Sequence, residues 1–402
     1  MRVLLSTIGS RGEAQPVLAL AAQLNAMGHE AHVCAPPDFQ ALAQEIGVRY
    51  TSVGSELKGT AKHTAATPPT PEQRRQMIEG TIVDQFAAVL AAGDGSDVIV
   101  GGGALAIAAH SVAEHLRARY VYAAFAPITL PSGHHAPPVF GVLGQKVTDR
   151  PTDNRVLWDQ DRQRWNVMWS RPLNDQRARL GLAPVADVRD HLFTTGPWLA
   201  ADPILAPWPD DKDLGVFQTG AWILPDHRPL AQETEDFLQA GDPPIYFGFG
   251  SMRAPAGLAT AILEASRSLG HRAVVARGWA GVTILDNDGD RLIVDEVNQQ
   301  KLFRRCAAVV HHGGAGTTTA AAQAGVPQVI CPRMFDQFYF ASRVSQLEIG
   351  TAHSPQDPTS DSLADSLRLV LADDVLAAAK SMASRVHGDG TAIAARRLTE
   401  DA

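Results

Sequence analysis

The stretch from His311 to Thr317 is the chemically richest pattern in the sequence. It reads His-His-Gly-Gly-Ala-Gly-Thr and stands between a strand predicted at 307–310 and a helix predicted at 318–324. A helix that begins after a strand and glycines presents unpaired backbone N–H groups and the positive end of its dipole to an anion. A histidine adds a further hydrogen-bond donor. The pattern predicts a diphosphate site, and the alternative is a tight turn without a ligand.

Two glycine patterns argue against other nucleotide chemistry. The His311–Thr317 stretch lacks the Gly-Lys-Ser/Thr ending of the common NTPase loop, so hydrolysis of ATP or GTP is disfavoured. Gly101-Gly102-Gly103, followed by Ala104-Leu105-Ala106, matches a dinucleotide fingerprint only weakly. The strand after it, 120–125, carries no acidic residue at its end. Close packing of a helix on a strand explains these glycines better than NAD or FAD.

Two carboxylates follow predicted strands, at the edge where α/β sheets bind ligands. Glu13 stands between the first strand and a helix predicted to begin at Pro16, and Asp336 with Gln337 follows the strand at 328–331. A carboxylate that is desolvated when a cleft closes has a raised pKa and can act as a general base. An acid beside an amide can hold sugar hydroxyls. The alternatives are a solvated Glu13 that compensates the helix dipole and an Asp336 that caps a helix.

Composition excludes several classes of protein. The chain has 402 residues, enough for about two domains, and a net charge of −8 without a basic run, so nucleic acid is not an expected partner. The three cysteines are far apart and give no zinc spacing, which fits a reducing compartment. No apolar run approaches the ~20 residues of a membrane span. The start of the chain reads directly into a strand, without a signal peptide. We therefore expect a cytoplasmic protein without stable membrane insertion.

A loop rich in aspartate invites a metal interpretation that the pattern does not support. Asp286-Asn287-Asp288-Gly289-Asp290 lacks the glycine and the glutamate of a calcium loop. Aspartate and glycine are also the usual turn residues between strands. We expect a turn here, and no metal ion.

Strands and helices alternate along the chain, which predicts an α/β fold with two doubly wound, Rossmann-like domains facing across a cleft. Residues 1–205 form the first predicted domain. A linker at 206–225 joins it to a second domain at 226–385, which contains the predicted diphosphate site. A C-terminal helix at 386–402 could pack back on the first domain.

Six motifs in this order resemble the GT-B glycosyltransferases of family 1, and in particular the actinobacterial antibiotic glycosyltransferases of the glycopeptide type. The likeness spans the chain and is weak between about 55 and 200. The motifs are Gly9-Ser10-Arg11-Gly12-Glu13-Ala14-Gln15-Pro16, Tyr246-Phe247-Gly248-Phe249-Gly250-Ser251, Arg277-Gly278-Trp279, Glu296-Val297-Asn298-Gln299-Gln300-Lys301-Leu302-Phe303, the run from His311 to Pro327, and Asp336-Gln337.

The resemblance implies an inverting transfer of a sugar from a UDP- or dTDP-sugar to a hydroxyl of a natural-product aglycone, with no metal or other cofactor. The position of the family base, histidine or aspartate in relatives, is here Glu13, whose arm is one methylene longer than that of aspartate. Asp336 could share or take over this role. The donor-binding residues that we expect are Ser10, Arg11, Gly12, Ser251, Trp279, Val297, His311, His312, Gly314, Ala315, Gly316, Thr317, Asp336 and Gln337.

The acceptor site is the least defined part of this prediction. The first domain and the Pro-rich loop at 126–150 should shape it, with His134 and His135 as candidate contacts, whereas Trp158, Trp165 and Trp169 are expected in the core. The sequence leaves open a monomer or a homodimer. It also leaves open a sugar-nucleotide epimerase of the same architecture and a non-catalytic helper of a partner enzyme.

Overall fold

A computed structural model describes residues 1–58, 70–138, 153–209, 214–251, 257–279, 289–354 and 357–400. Part of the Pro-rich loop, part of the predicted linker and residues 286–288 of the predicted turn at Asp286–Asp290 lie outside the described residues. Within the described residues no helix is long and apolar enough to cross a membrane.

The first half of the chain builds a seven-stranded parallel sheet in the order β3-β2-β1-β4-β5-β6-β7. The strand order reverses between β1 and β4, as in doubly wound folds. The strands are β1 (Arg2–Ser6), β2 (Glu30–Ala35), β3 (Arg49–Ser52), β4 (Val98–Gly102), β5 (Arg119–Ala124), β6 (Trp198–Leu199) and β7 (Phe217–Gln218).

The second half repeats the pattern with six parallel strands in the order β10-β9-β8-β11-β12-β13. Its order reverses between β8 and β11. The strands are β8 (Ile245–Gly248), β9 (Ala273–Ala276), β10 (Arg291–Val294), β11 (Ala308–His311), β12 (Gln328–Ile330) and β13 (Gly350–Ala352). Two doubly wound α/β units, as predicted, therefore follow one another along the chain.

Helices connect successive strands and cover the sheets. Those of the first half are α1 (Arg11–Ala26), α2 (Gln40–Glu45), α3 (Pro71–Gly93), α4 (Ala109–Leu116), α5 (Asn154–Arg179) and α6 (Val188–Phe193). Those of the second half are α7 (Gln232–Gln239), α8 (Leu258–Ser268), α9 (Gln299–Leu302), α10 (Ala315–Ala324), α11 (Gln337–Gln346), α12 (Ser360–Val370), α13 (Asp373–Met382) and α14 (Gly390–Glu400).

Helix α1 begins earlier than the sequence predicted. It starts at Arg11, and Pro16 lies inside it. Proline is tolerated in the first turn of a helix because the N–H that it lacks has no partner there, and Pro16 lies just beyond that turn. The early start places Glu13 in the first turn of α1, rather than in the loop before it.

The segment between the sheets carries more structure than a plain linker. Phe217–Gln218, inside the predicted linker, pairs with Trp198–Leu199, so the first sheet continues to Gln218. Helix α14 returns to the first half, where Ala394, Ala395 and Leu398 are buried in the same core cluster as Val17 and Leu24 of α1. A methyl group on Gly390 would overlap the backbone of Gly220, so the chain approaches itself closely where α14 begins.

Candidate active site

In each sheet, predicted site residues follow the strands at which the strand order reverses. In open α/β sheets, ligands bind outside the carboxyl ends of the strands at such points. Glu13 follows β1 in the first sheet. In the second, Ser251 follows β8 and His312 follows β11. The order of strands thus brings residues that are far apart in the sequence to corresponding edges.

Helix α10 supplies the predicted anion site. Its N-cap is Gly314 in extended conformation, and no side chain caps the helix. The backbone N–H groups of Ala315, Gly316 and Thr317 stand in the first turn, where a helix has no carbonyl partners for them. Gly316 is exposed, and a Cβ there would meet nothing within 4 Å. A phosphate can therefore approach this helix end closely.

His312 lies beside this helix end and is held in its neutral form. Burial lowers the pKa of His312 to about 4, and the nearby Gly248 carbonyl opposes the shift only in part. Within the described part of the chain, Nδ1 of His312 has no hydrogen-bond partner. Two glycines make room for the ring, since a Cβ on Gly250 or Gly314 would lie within 2.8 Å of it. A neutral imidazole can donate one N–H to a phosphate oxygen.

His311 plays a different part from the one the sequence predicted. It is fully buried. Its Nε2 lies 2.9 Å from Oε1 of Gln328, and its Nδ1 accepts from the N–H of Gly313 at 3.1 Å. Burial and the neighbouring His312 ring lower the pKa of His311 to about 3. Because both ring nitrogens are engaged, His311 shapes the loop and has no donor to offer a ligand in this conformation.

Glu13 is half-buried, and its carboxyl group sits at the end of β1. Thr7 donates a hydrogen bond of 3.3 Å to Oε2 of Glu13. Burial, together with the charge of Asp336, raises the pKa of Glu13 to about 7, and the Thr7 bond opposes this rise. A carboxyl group with that pKa changes its ionisation near neutral pH, as a general base does. The interpretation of Glu13 as a plainly solvated residue does not fit these surroundings.

Asp336 stands at the N-cap position of α11, but its side chain makes no capping hydrogen bond. Burial raises the pKa of Asp336 to about 6. Next to it, Oε1 of Gln337 accepts from the backbone N–H groups of Arg333 at 2.8 Å and Met334 at 3.1 Å. The amide oxygen of Gln337 therefore closes the loop before α11. The charge of Asp336 also acts on Glu13, so the two carboxyl groups interact although they come from different halves of the chain.

Several predicted donor residues meet across the two halves of the chain. Arg11, at the start of α1, forms an ion pair with Glu296, which precedes Val297. The ring of Trp279 contacts that of Phe39, with centroids 6.1 Å apart, and packs on the core of the first half. The resemblance implied that Trp279 binds the donor, whereas in this conformation its ring has a partner from the other half.

The other predicted donor residues keep accessible positions. Ser10 and Gly12 are exposed at the start of α1, Ser251 is half-buried beyond β8, and Val297 is half-buried after β10. No side chain caps α1 at Ser10. These residues follow strands of the two sheets.

The two histidines predicted for the acceptor site differ in their surroundings. His134 is exposed, whereas His135 is half-buried. Nε2 of His135 lies 2.9 Å from the carbonyl oxygen of Leu130, and its ring makes edge contacts with Trp158 and Trp208. Trp158, with the other two tryptophans of α5, is buried, as predicted. His134 is therefore the more accessible of the pair.

Sequence reasoning missed the residues that surround Glu13. Thr7 contacts its carboxyl group, and Gly103, which follows β4, approaches it so closely that a Cβ would overlap it. Gly101 and Gly102 pack on Tyr120 and Val17, which confirms the packing interpretation of this glycine run for its first two members. The sequence signal that could have identified Gly103 is its place as the last glycine of the run at the end of β4, the strand that pairs with β1.

The overall architecture matches solved structures of GT-B glycosyltransferases. The glycosyltransferase of kitacinnamycin aligns with a TM-score of 0.69 at 18% identity, over 99% of this chain and 98% of that one. The glycosyltransferase VinC, solved in complex with dTDP, aligns with a TM-score of 0.66 at 21% identity, over the whole of both chains. The chain therefore has the GT-B fold.

Sequence comparisons define the family more closely. Residues 3–132 match the glycosyltransferase family 28 N-terminal domain, and residues 280–393 match the C-terminal domain of erythromycin biosynthesis protein CIII-like proteins. Glycosyltransferase GtfC of Amycolatopsis orientalis is 46% identical, over 100% of this chain and 97% of that protein. The vancomycin aglycone glucosyltransferase of the same organism is 42% identical over the same shares. The chain belongs to the glycopeptide antibiotic glycosyltransferases.

Proposed function

We propose that the protein transfers a sugar from a UDP- or dTDP-sugar to a hydroxyl of a glycopeptide-type aglycone, with inversion at the anomeric carbon. The observation that carries the proposal is the pairing of two elements. Glu13, with a pKa of about 7, follows β1 of the first sheet. The uncapped start of α10 with His312 follows β11 of the second sheet.

In this mechanism Glu13 accepts the proton of the acceptor hydroxyl while its oxygen attacks the anomeric carbon. The bond to the nucleoside diphosphate breaks on the opposite face of the sugar. The N–H groups of Gly316 and Thr317 and the N–H of His312 hold the charge that develops on the leaving phosphate. Because these groups already stabilise that charge, the mechanism does not require a metal ion.

Asp336 has a second role in the proposal. Its carboxylate accepts hydroxyl hydrogen bonds from the donor sugar, and its charge keeps the pKa of Glu13 high. In the proposal, Ser10 and Arg11, at the start of α1, contact the diphosphate from the first half. Relatives support the choice of substrates, because their names include a vancomycin aglycone glucosyltransferase and a dTDP-epi-vancosaminyltransferase.

A transfer assay with UDP- and dTDP-sugars and a panel of glycopeptide aglycones tests this function. We expect a glycosylated product whose anomeric configuration, read by NMR, is opposite to that of the donor. EDTA should leave the rate unchanged. Conversion of the donor alone into an epimer, or retention of configuration, would refute the proposal.

The variant Glu13→Gln tests the base within the same assay. General-base help is typically worth about 10²–10⁴-fold in rate, so turnover should fall by that factor while nucleotide affinity stays the same. Asp336→Asn is the matched variant on the other half. If only Asp336→Asn abolishes turnover, Asp336 is the base and Glu13 is not.

A further inference from the structure

The carboxyl group of Glu13 lies against two glycines that come from different strands. Gly9 follows β1, and Gly103 follows β4 on the neighbouring side of the strand-order reversal. A Cβ built on either glycine would overlap the carboxyl group. The three atoms nearest to a Cβ built on Gly103 all belong to the carboxyl group, whereas a Cβ built on Gly9 would also lie close to the Cβ of Glu13. The absence of two side chains therefore creates the space that the carboxyl group occupies.

Thr7 fixes the orientation of the carboxyl group in this space. The N–H of Gly9 donates to Oγ1 of Thr7 at 3.3 Å, and the Thr7 hydroxyl donates to Oε2 of Glu13 at 3.3 Å. A hydroxyl has a single proton to donate. Because the Gly9 N–H already occupies a lone pair of Thr7, the hydroxyl proton is directed at the carboxylate. Thr7 is fully buried, so its hydroxyl group is shielded from water.

We propose that Thr7, Gly9 and Gly103 form a cradle of positioning residues that fits this active site to a glutamate base. A glutamate has one more rotatable bond than an aspartate, and its carboxyl group needs contacts that select one position. The cradle supplies them by letting two backbone segments approach and by one hydrogen bond. The inference rests on the proposed role of Glu13 in catalysis.

A double-mutant cycle between Gly103 and Glu13 tests the cradle. In Gly103→Ala the new methyl group displaces the carboxyl group, and a misplacement of about 1 Å can lower turnover about a hundredfold. The shorter side chain of Glu13→Asp keeps clear of that methyl group. When Glu13→Asp is already present, we therefore expect Gly103→Ala to change kcat by less than about threefold. The coupling between the two changes is the quantity measured.

Backbone strain is a confounding effect that the cycle removes. Gly103 has a φ of 83°, so alanine is strained there whatever surrounds it. The effect of this strain on kcat is the same with and without Glu13→Asp, so it cancels in the coupling between the two changes. Gly28 offers a matched control, since its φ is 86° and a Cβ on it would meet nothing within 4 Å. Gly28→Ala should lower kcat only slightly, and by the same factor with and without Glu13→Asp.

Thr7→Val gives a readout that a merely structural role would not move. The Thr7 hydrogen bond lowers the pKa of Glu13, whereas burial and the charge of Asp336 raise it. Tyr122 also lies within the field of Glu13. Removing the hydroxyl should raise the pKa of Glu13 and move the acid limb of kcat/KM to higher pH. The carboxyl titration of Glu13, followed by ¹³C NMR of labelled glutamate, should move the same way.

The outcomes separate the cradle from the proposed function. An equal loss on Gly103→Ala in both backgrounds, or no upward shift with Thr7→Val, would overturn the cradle while Glu13→Gln remains inactive. A wild-type rate in Glu13→Gln would instead overturn the base itself, and the cradle with it. Unchanged affinity for dTDP and UDP in all variants would show that the donor site is intact.

Discussion

The acid limb of the pH–rate profile is the sharpest consequence of the environment of Glu13. With a pKa of about 7, roughly a tenth of the Glu13 carboxyl groups are ionised at pH 6 and roughly nine-tenths at pH 8. The base works only when ionised. We therefore predict that kcat/KM rises about tenfold between pH 6 and pH 8. A glutamate with its ordinary pKa would be almost fully ionised over this range, and the profile would be flat.

The ring of His312 does not imitate this rise. The pKa of His312 is about 4, so its ring stays neutral from pH 6 to pH 8. Asp336 has a pKa of about 6 and interacts with Glu13, so the observed values belong to the pair of carboxyl groups. Asp336→Asn removes the charge that raises the pKa of Glu13, and the acid limb should move to lower pH.

The assay follows initial rates at low donor concentration from pH 5.5 to pH 9, with nucleotide affinity measured at each pH as a control. Glu13→Gln should give a low rate without the acid limb of the wild type. A flat wild-type profile between pH 6 and pH 8 would refute the inference that Glu13 is a base whose pKa is raised by burial. An acid limb that survives unchanged in Glu13→Gln would assign the titration to another group.

Four further predictions concern the donor site and the stability of the fold. His312→Ala should weaken dTDP or UDP binding, measured by calorimetry, about tenfold to a hundredfold, because a hydrogen bond to a charged phosphate is lost. His311→Ala should lower the melting temperature instead. Arg189→Met should lower the free energy of unfolding in urea by about 2 kcal/mol, since it removes one partner of the buried Asp161, which stays paired with Arg164. Adding Asp161→Asn should recover part of that loss. Burial lowers the pKa of His191 to about 3. The stability that the neutral ring contributes is therefore present above pH 6.5 and is lost as the pH falls below 6.5. His191→Gln should show a smaller drop in melting temperature than the wild type between pH 7.5 and pH 5.

Local sequence patterns predicted the α/β class and most strands of both sheets, because apolar runs and turn residues are local signals. The short strands β6, β7 and β13 escaped prediction, since segments of two or three residues give only a weak local signal. They are defined by the neighbours with which they pair. The start of α1 escaped for a different reason. The proline rule favoured Pro16 as an opening residue, but the helix starts earlier and holds the proline inside.

The sequence by itself determined which groups can do chemistry: two carboxylates, a glycine-flanked helix end and the histidines before it. Only the tertiary structure decided which of them are available. It engaged both nitrogens of His311 and left Nδ1 of His312 without a partner in the described residues. It also raised the pKa of Glu13 by burying it beside Gly103, which is distant in the sequence. The physical reason is that desolvation and hydrogen-bond occupancy depend on neighbours in space, which strand order brings together and local sequence does not encode.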